Sequence, residues 1–327
     1  MKPAPIIFCH YGNTDYLPYV VDCVRRTNPQ KRIVLLGDET NRWLNGKIEH
    51  YLFDSYANGP EIETFNQVYQ LIQGAKHGHV KGNRDWVNFV FKRWYYVYNF
   101  LKSAGIERFW HFDSDTMIVN DLAVHESKYA AYDCTEQCDG SCMNGFVSSP
   151  VIVGKYLQKI NELFQRRAYL EEQAREFETK NPDYAFTEMR AYEKFRSEER
   201  VNSIRLSKVI DGSTFDDTLV LAHGMETERL RSGKYIKKVF LHPDGRFLCR
   251  EKDSSQIVQV NTINLSWMPL RAYKIIGSHV ARQDQSVRKI PDEILRGPTI
   301  ASRIDSPIVR IGRFMKSIAR NVGLMKK

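Results

Sequence analysis

The segment RFWHFDSDTMIVNDLA, residues 108–123, sets two carboxylates inside an otherwise apolar run. Asp113 and Asp115 follow Phe109, Trp110 and Phe112 and precede Met117, Ile118 and Val119. Ionised side chains are not buried unpaired. The run therefore reads as a buried strand whose end carries both acids to an accessible edge. In open α/β sheets, ligands gather at the carboxyl ends of strands. Two residues apart on a strand, the acids project to one side. Like charges that close repel unless a cation lies between them. Mg²⁺ and Mn²⁺ favour oxygen ligands and keep positions for water or phosphate oxygens. A solvated turn with helix-capping aspartates would spell the same three letters. The strand and helix that precede the motif favour the metal.

The preceding helix is the clearest element. WVNFVFKRWYYVYNFLKSAGI, residues 86–106, has apolar positions at helical intervals and a glycine, Gly105, suited to close it. Earlier, APIIFCHYGN and KRIVLLGDE read as buried strands ended by Gly12-Asn13 and Gly37. DYLPYVVDCVRRTNP between them has helical spacing and stops at Asn28-Pro29. Strand, helix, strand in that order implies a parallel pair with a crossover helix. KIEHYLFDSY is a third strand candidate. After Pro150 a long helical region, with room for a break, runs to Asn181-Pro182, and FTEMRAYEKFRSE is another helix. From Ile204 to Leu265 short strand-like runs alternate with turns, and order weakens after Gly277.

A chain of 327 residues suits one large α/β domain or two lobes sharing a core. With 48 basic and 39 acidic residues, its net charge of +9 favours anionic partners without choosing among them. No zinc-finger or RNA-binding signature accompanies it, so nucleic acid is not an expected partner. No run reaches the roughly 20 apolar residues of a membrane span, and the N-terminus does not read as a signal peptide. The expectation is a cytoplasmic protein with reduced thiols. Cys134, Cys138 and Cys142 lack the further ligands of a structural zinc site and read as small, partly buried loop residues.

In organisation the chain resembles the GT-A fold glycosyltransferases over about residues 5–275, most sharply in FVFKRWYYVYNFLKSAGIERFWHFDSDTMIV. The resemblance implies a Rossmann-like, mixed but mainly parallel central sheet flanked by helices. It implies an Asp-x-Asp motif, Asp113 and Asp115, that holds Mn²⁺ or Mg²⁺ against a nucleotide diphosphate sugar. By the same resemblance His10, Tyr11, Gly12 and Asn13 at the end of the first strand contact the nucleoside, with Asp38 beside them. Asn88, Lys92 and Arg93 face the donor, and Ser114 lies between the acids. For Lys92 and Arg93 a solvated helix face is an equal account. The family's late metal-binding His is absent from NTINLSWMPLRAYK, which has Asn264 at the matching place. Asn264, His242, His279 or water is left as the third ligand.

The acceptor side follows the motif. Asn144 and Gly145 match a family pair near the sugar, although an ordinary Asn-Gly turn accounts for them equally. A transferase that deprotonates its acceptor hydroxyl needs a carboxylate. Glu188 at a helix start is the candidate base, with Asp183, Asp211, Asp216 and Asp217 as alternatives. The expected division is 1–130 for the nucleotide-sugar half, 131–300 for the acceptor half and 301–327 for a basic amphipathic tail. In that tail Ile308, Ile311, Met315, Ile318, Val322 and Met325 form one stripe, opposed by Arg310, Arg313, Lys316, Arg320 and Lys327. A C-terminal helix of this kind fits an anionic membrane surface, and hence a peripheral place on the inner face. The expected reaction is sugar transfer to a hydroxyl of a glycan or lipid-linked acceptor. The alternatives are a sugar-1-phosphate nucleotidyltransferase, disfavoured by the single glycine in CHYGNTDYLP, and a relative that binds nucleotide or glycan without turnover.

Overall fold

The structure, a computed structural model, describes residues 3–78, 83–281, 295 and 297–306. The expected tail helix over residues 307–327 lies outside the described residues.

The chain opens with β1 (Ile6–Cys9), α1 (Leu17–Thr27), β2 (Ile33–Gly37) and β3 (Glu49–Leu52). Helices α2 (Pro60–Val68), α3 (Ala75–Gly78) and α4 (Asn83–Ala104) follow, then β4 (Phe109–Asp113) and β5 (Thr116–Ile118). The second half holds α5 (Glu126–Tyr129), β6 (Cys134–Gln137), β7 (Cys142–Val147), α6 (Pro150–Gln165), α7 (Arg167–Thr179), α8 (Glu188–Glu198) and β8 (Ser203–Arg205). Short strands come next: β9 (Ser213–Thr214), β10 (Thr227–Arg229), β11 (Tyr235–Lys237), β12 (Phe240–Leu241), β13 (Phe247–Arg250), β14 (Ile257–Val260) and β15 (Thr262–Asn264). Helices α9 (Leu270–Val280) and α10 (Ile300–Asp305) complete the described chain.

Seven strands make the central sheet, in the order β3-β2-β1-β4-β7-β6-β8. Four of its six pairings are parallel, and the two flanking β7 are antiparallel. The expected division at residue 130 falls between β5 and β6, and this one sheet crosses it through the β4–β7 pairing. Pleating sorts the inner strands between two cores. Ile6, Phe8, Leu35, Trp110 and Phe112 face α1 and α9, while Ile7, Cys9, Val34, Leu36 and Phe109 face α4, α6 and α8. Both faces being covered explains why β1 and β2 are apolar at nearly every position.

The structure departs from the sequence reading in two places and locates the break for which the long helical region left room. The long helical region breaks at Arg166, whose ψ of 86° is not helical, so α6 and α7 are separate. Helix α9 runs past Gly277 to Val280. The strand through the acids is two strands: β4 stops at Asp113, the chain turns at Ser114-Asp115, and β5 pairs antiparallel with β15 instead of joining the central sheet. That turn relieves the pair of carboxylates from sharing one strand face. No helix among the described residues is long and apolar enough to cross a membrane.

Gly145 sits inside β7 with a φ of +91°, and a Cβ there would meet Leu206 Cδ1 at 2.3 Å and Thr135 Oγ1 at 2.4 Å. Gly145→Ala should therefore cost more than about 1 kcal/mol in backbone strain and about 1–3 kcal/mol in overpacking. Urea unfolding of the purified variant checks this.

Candidate active site

Parallel pairing places Cys9 beside Asp113, so the end of β1 and the acidic turn lie side by side at the carboxyl edge of the sheet. There Asp113 Oδ1 accepts from Arg93 Nη1 at 2.6 Å, and Arg93 Nη2 donates to Glu188 Oε1 at 2.8 Å. Arg93 comes from α4 and Glu188 is the first residue of α8. The Arg93 and Glu188 side chains are 11% and 7% exposed, whereas Asp113 is 33% exposed and forms the open end of the bridge. Burial works against the Arg93 charge, but two carboxylates overcome it and raise its pKa. Burial pushes Asp113 up, and the charge of Arg93, with its hydrogen bond, brings it below the usual carboxylate range. Glu188 is different. Burial, with Asp113 adding to it, outweighs Arg93 and raises its carboxyl to about 7.

Glu188 Oε2 and Asn144 Oδ1 are buried without a hydrogen-bond partner, and Asn144 Nδ2 lies 3.4 Å from Asp113 Oδ2. Unsatisfied buried acceptors cost about 1–3 kcal/mol each. Beside a partly open carboxylate, they suit the hydroxyl donors of a ligand.

Asp115 has partners of its own. Its Oδ2 accepts from Ser266 Oγ at 2.7 Å and its Oδ1 from Asn264 Nδ2 at 3.1 Å. Burial, then the nearby charge of Asp113, raises its carboxyl to about 6. The β15–β5 pairing, Asn264 opposite Thr116, brings Asn264 here from far along the chain. Asn264 differs from its expected role as a metal ligand. Its Oδ1 accepts from Ser266 N–H at 3.0 Å, so the amide nitrogen, which donates, is what it turns to Asp115. It holds Asp115 in place. Of the other late candidates, His242 is bonded to Asp244 at 2.6 Å and His279 packs edge-on against Phe247.

The carboxylate pair fits a hard divalent cation. Asp113 and Asp115 offer only oxygen, and every carboxylate oxygen that accepts one hydrogen bond retains a lone pair. Burial first, and the charge of Asp113 after it, raise the Asp115 carboxyl, and a bound cation would favour its ionised form against both.

The loop after β1 is strapped to the loop after β2. Asp38 Oδ2 accepts from Gly12 N–H at 2.5 Å, and Asn41 Nδ2 donates to the His10 and Gly12 carbonyls at 3.0 and 2.9 Å. Gly12, at φ +80°, makes the turn. His10 Nδ1 lies 2.7 Å from Ser114 Oγ, which ties the loop to the acidic turn, and burial lowers the ring to about 4, so it is neutral. Tyr11 and Asn13 are exposed, with Tyr11 packed against Phe89 at 5.6 Å. Asn88 and Lys92 are half-buried on α4. Asp38, His10, Ser114, Asp113, Arg93, Asn144 and Glu188 are thus joined by contacts or by neighbouring positions.

The alternative bases lie elsewhere in the bonding pattern. Asp183 pairs with Lys76 and Asp211 with Lys128 at the surface. Asp216 is ion-paired with buried Lys237 and accepts from Asn264 N–H. Asp217, Asp139 and His223 form a cluster with metal-ligand spacing. Lys237 Nζ lies 3.3 Å from His223 Nδ1, which favours the tautomer with the proton on Nε2 and so opposes a cation there. All six cysteines are free thiols. A cleft of about 340 Å³ beside the start of β2 is lined by Lys31 and Arg246, whose charges are met by Glu126 and Asp244.

Besides Asn264, three members of the site were missed or misread in the sequence. Ser266 and Asn41 carry no local signal, being ordinary polar residues in mixed surroundings. Arg93 was read toward solvent and donor, but it is the internal bridge between Asp113 and Glu188.

No family model matches the chain, and no curated protein matches it in sequence. Among solved structures, it is similar to "PaToxG Glycosyltransferase" at TM-score 0.36 and 12% identity, covering 61% of this chain and 70% of that one. It is also similar to the glycosyltransferase GlyE of Streptococcus pneumoniae TIGR4 at TM-score 0.31 and 11% identity, over 63% of this chain and 45% of that one. Likenesses this slight establish neither fold family nor activity for this chain.

Proposed function

We propose that this chain is a metal-dependent glycosyltransferase that moves a sugar from a nucleotide diphosphate donor to a hydroxyl of a glycan or glycolipid. The observation that carries the reading is the Asp113–Arg93–Glu188 bridge at the carboxyl edge of the sheet, with Asp115 beside it. Asp113 and Asp115 would hold Mn²⁺ or Mg²⁺. When bound, such an ion absorbs the charge that develops on a departing diphosphate.

The chain's own residues do the rest. Arg93 keeps Asp113 ionised, and Ser266 and Asn264 fix the Asp115 carboxylate. The loop at His10, Tyr11, Gly12 and Asn13, strapped to Asp38, would receive the nucleoside. Neutral His10 braces Ser114 without adding charge. Glu188 Oε2, unpartnered and with its carboxyl near pH 7, is suited to take the proton of the acceptor hydroxyl. Asn144 Oδ1 would accept from a sugar hydroxyl. The basic residues of the tail support an acceptor at an anionic membrane surface.

Nucleoside diphosphate binding should strengthen on adding Mn²⁺, since a pyrophosphate beside two aspartates is otherwise repelled. Calorimetry with UDP and GDP, with Mn²⁺ or with chelator, measures it. A nucleotide-sugar panel then reads turnover. Equal affinity in both conditions sinks the metal role.

A further inference from the structure

Trp267 is 86% exposed, the highest among the described large apolar side chains. It sits third in a tight turn closed by Met268 N–H donating to Leu265 O at 2.9 Å. Its φ is +65°, a conformation that such turns normally give to glycine or asparagine. A bulky residue there costs about 1–3 kcal/mol of backbone strain, and this indole offsets little of it by burial among the described residues. The turn is nevertheless firmly seated. Leu265 N–H donates to the Asp115 carbonyl at 3.0 Å, and Ser266 Oγ to the Asp115 carboxylate at 2.7 Å. A strained turn, fastened on both chain atoms and side chain to Asp115, thus holds up an aromatic ring that the rest of the described residues leave uncovered.

We propose that Trp267 is a stacking platform for a pyranose ring of the substrate, whether the donor's or the acceptor's. This rests on the transferase reading. In a nucleotide sugar the pyrophosphate lies between nucleoside and sugar. If the nucleoside lies at the His10–Asn13 loop and the pyrophosphate at Asp113 and Asp115, the group beyond the pyrophosphate is a sugar. A pyranose presents a face of C–H groups to an aromatic ring while its hydroxyls stay hydrated. A wide, flat indole with a polar edge matches that need. Strain at a binding residue is retained when the ligand contact repays it.

Two variants test this, Trp267→Asn, which relieves the left-handed strain, and Trp267→Phe, which keeps a ring. Trp267→Asn is expected to melt no lower than wild type and to bind UDP or GDP with Mn²⁺ as wild type does. Its affinity for nucleotide hexoses should fall about tenfold if the donor sugar stacks, or its acceptor KM should rise about tenfold if the acceptor does. Trp267→Phe should stay within about threefold of wild type on the same measure. Three results overturn the inference: unchanged donor affinity and acceptor KM, an equal loss for bare nucleoside diphosphate, or a lower melting temperature in Trp267→Asn. If the wild-type chain transfers no hexose at all, the transferase reading has failed separately. An array of immobilised glycans then decides: retention by wild type and loss in Trp267→Asn supports the platform, and equal or no retention by both overturns it.

Discussion

Asp113→Asn and Asp115→Asn should each reduce transfer by at least about a hundredfold while leaving far-UV circular dichroism unchanged. The two substitutions keep shape and remove charge, and charge is what the carboxylate pair offers a divalent cation. Their effects on stability should differ. Asp113 is one of two partners of buried Arg93. Taking one partner from a buried pair costs about 3–5 kcal/mol, but Glu188 remains against Arg93 and Asp113 is a third exposed, so the loss should fall below that range. Asp115 is raised to about 6 by burial and by Asp113. Its neutral replacement removes a repulsion, and Ser266 Oγ can accept from the new amide. Asp115→Asn should therefore melt at or above the wild-type temperature in chelator and yet be inactive. Near wild-type turnover in either purified variant would remove the pair from the mechanism.

The central sheet was legible because its signals are local. Continuous apolar runs closed by glycine mark β1 and β2, and the helical spacing of residues 86–106 marks α4. Asp113 stood out for the same reason, as a charge directly after four buried positions of β4. The partners of these acids were not legible. Arg93 and Glu188 meet across 95 positions of sequence, and Ser266 reaches Asp115 across 151. No periodicity encodes such meetings; they follow from the helix–sheet packing and from the β15–β5 pairing. Asn264 shows the limit well. Its position in the late strand was foreseen, but which end of the amide faces Asp115 depends on Ser266 N–H, a backbone group with no sequence signature. The turn at Ser114-Asp115 was hidden for a related reason, since an apolar run after the acids fits one strand or two equally well.

Glu188→Gln is expected to lower kcat by about 10²–10⁴-fold with little change in nucleotide diphosphate affinity. Glutamine can keep an acceptor oxygen against Arg93 Nη2 but cannot take a proton. The pH dependence carries the sharper test. Burial, with Asp113 helping, raises the Glu188 carboxyl from its ordinary 4.5 to about 7. A base works only when ionised, so wild-type kcat should rise with pH through about 7, and that rise should vanish in Glu188→Gln. Stability should move in the opposite sense. A folded-state pKa above the unfolded one gives stability that is full below the unfolded value and is lost as pH rises through the folded value. The wild-type chain should thus lose stability between about pH 4 and 7 relative to Glu188→Gln, since the buried carboxyl must ionise. Melting curves of both proteins across that window measure the difference. A wild-type kcat that is flat through neutrality, with a Gln variant that loses only stability, would return Glu188 to the role of an acid at a helix start paired with Arg93.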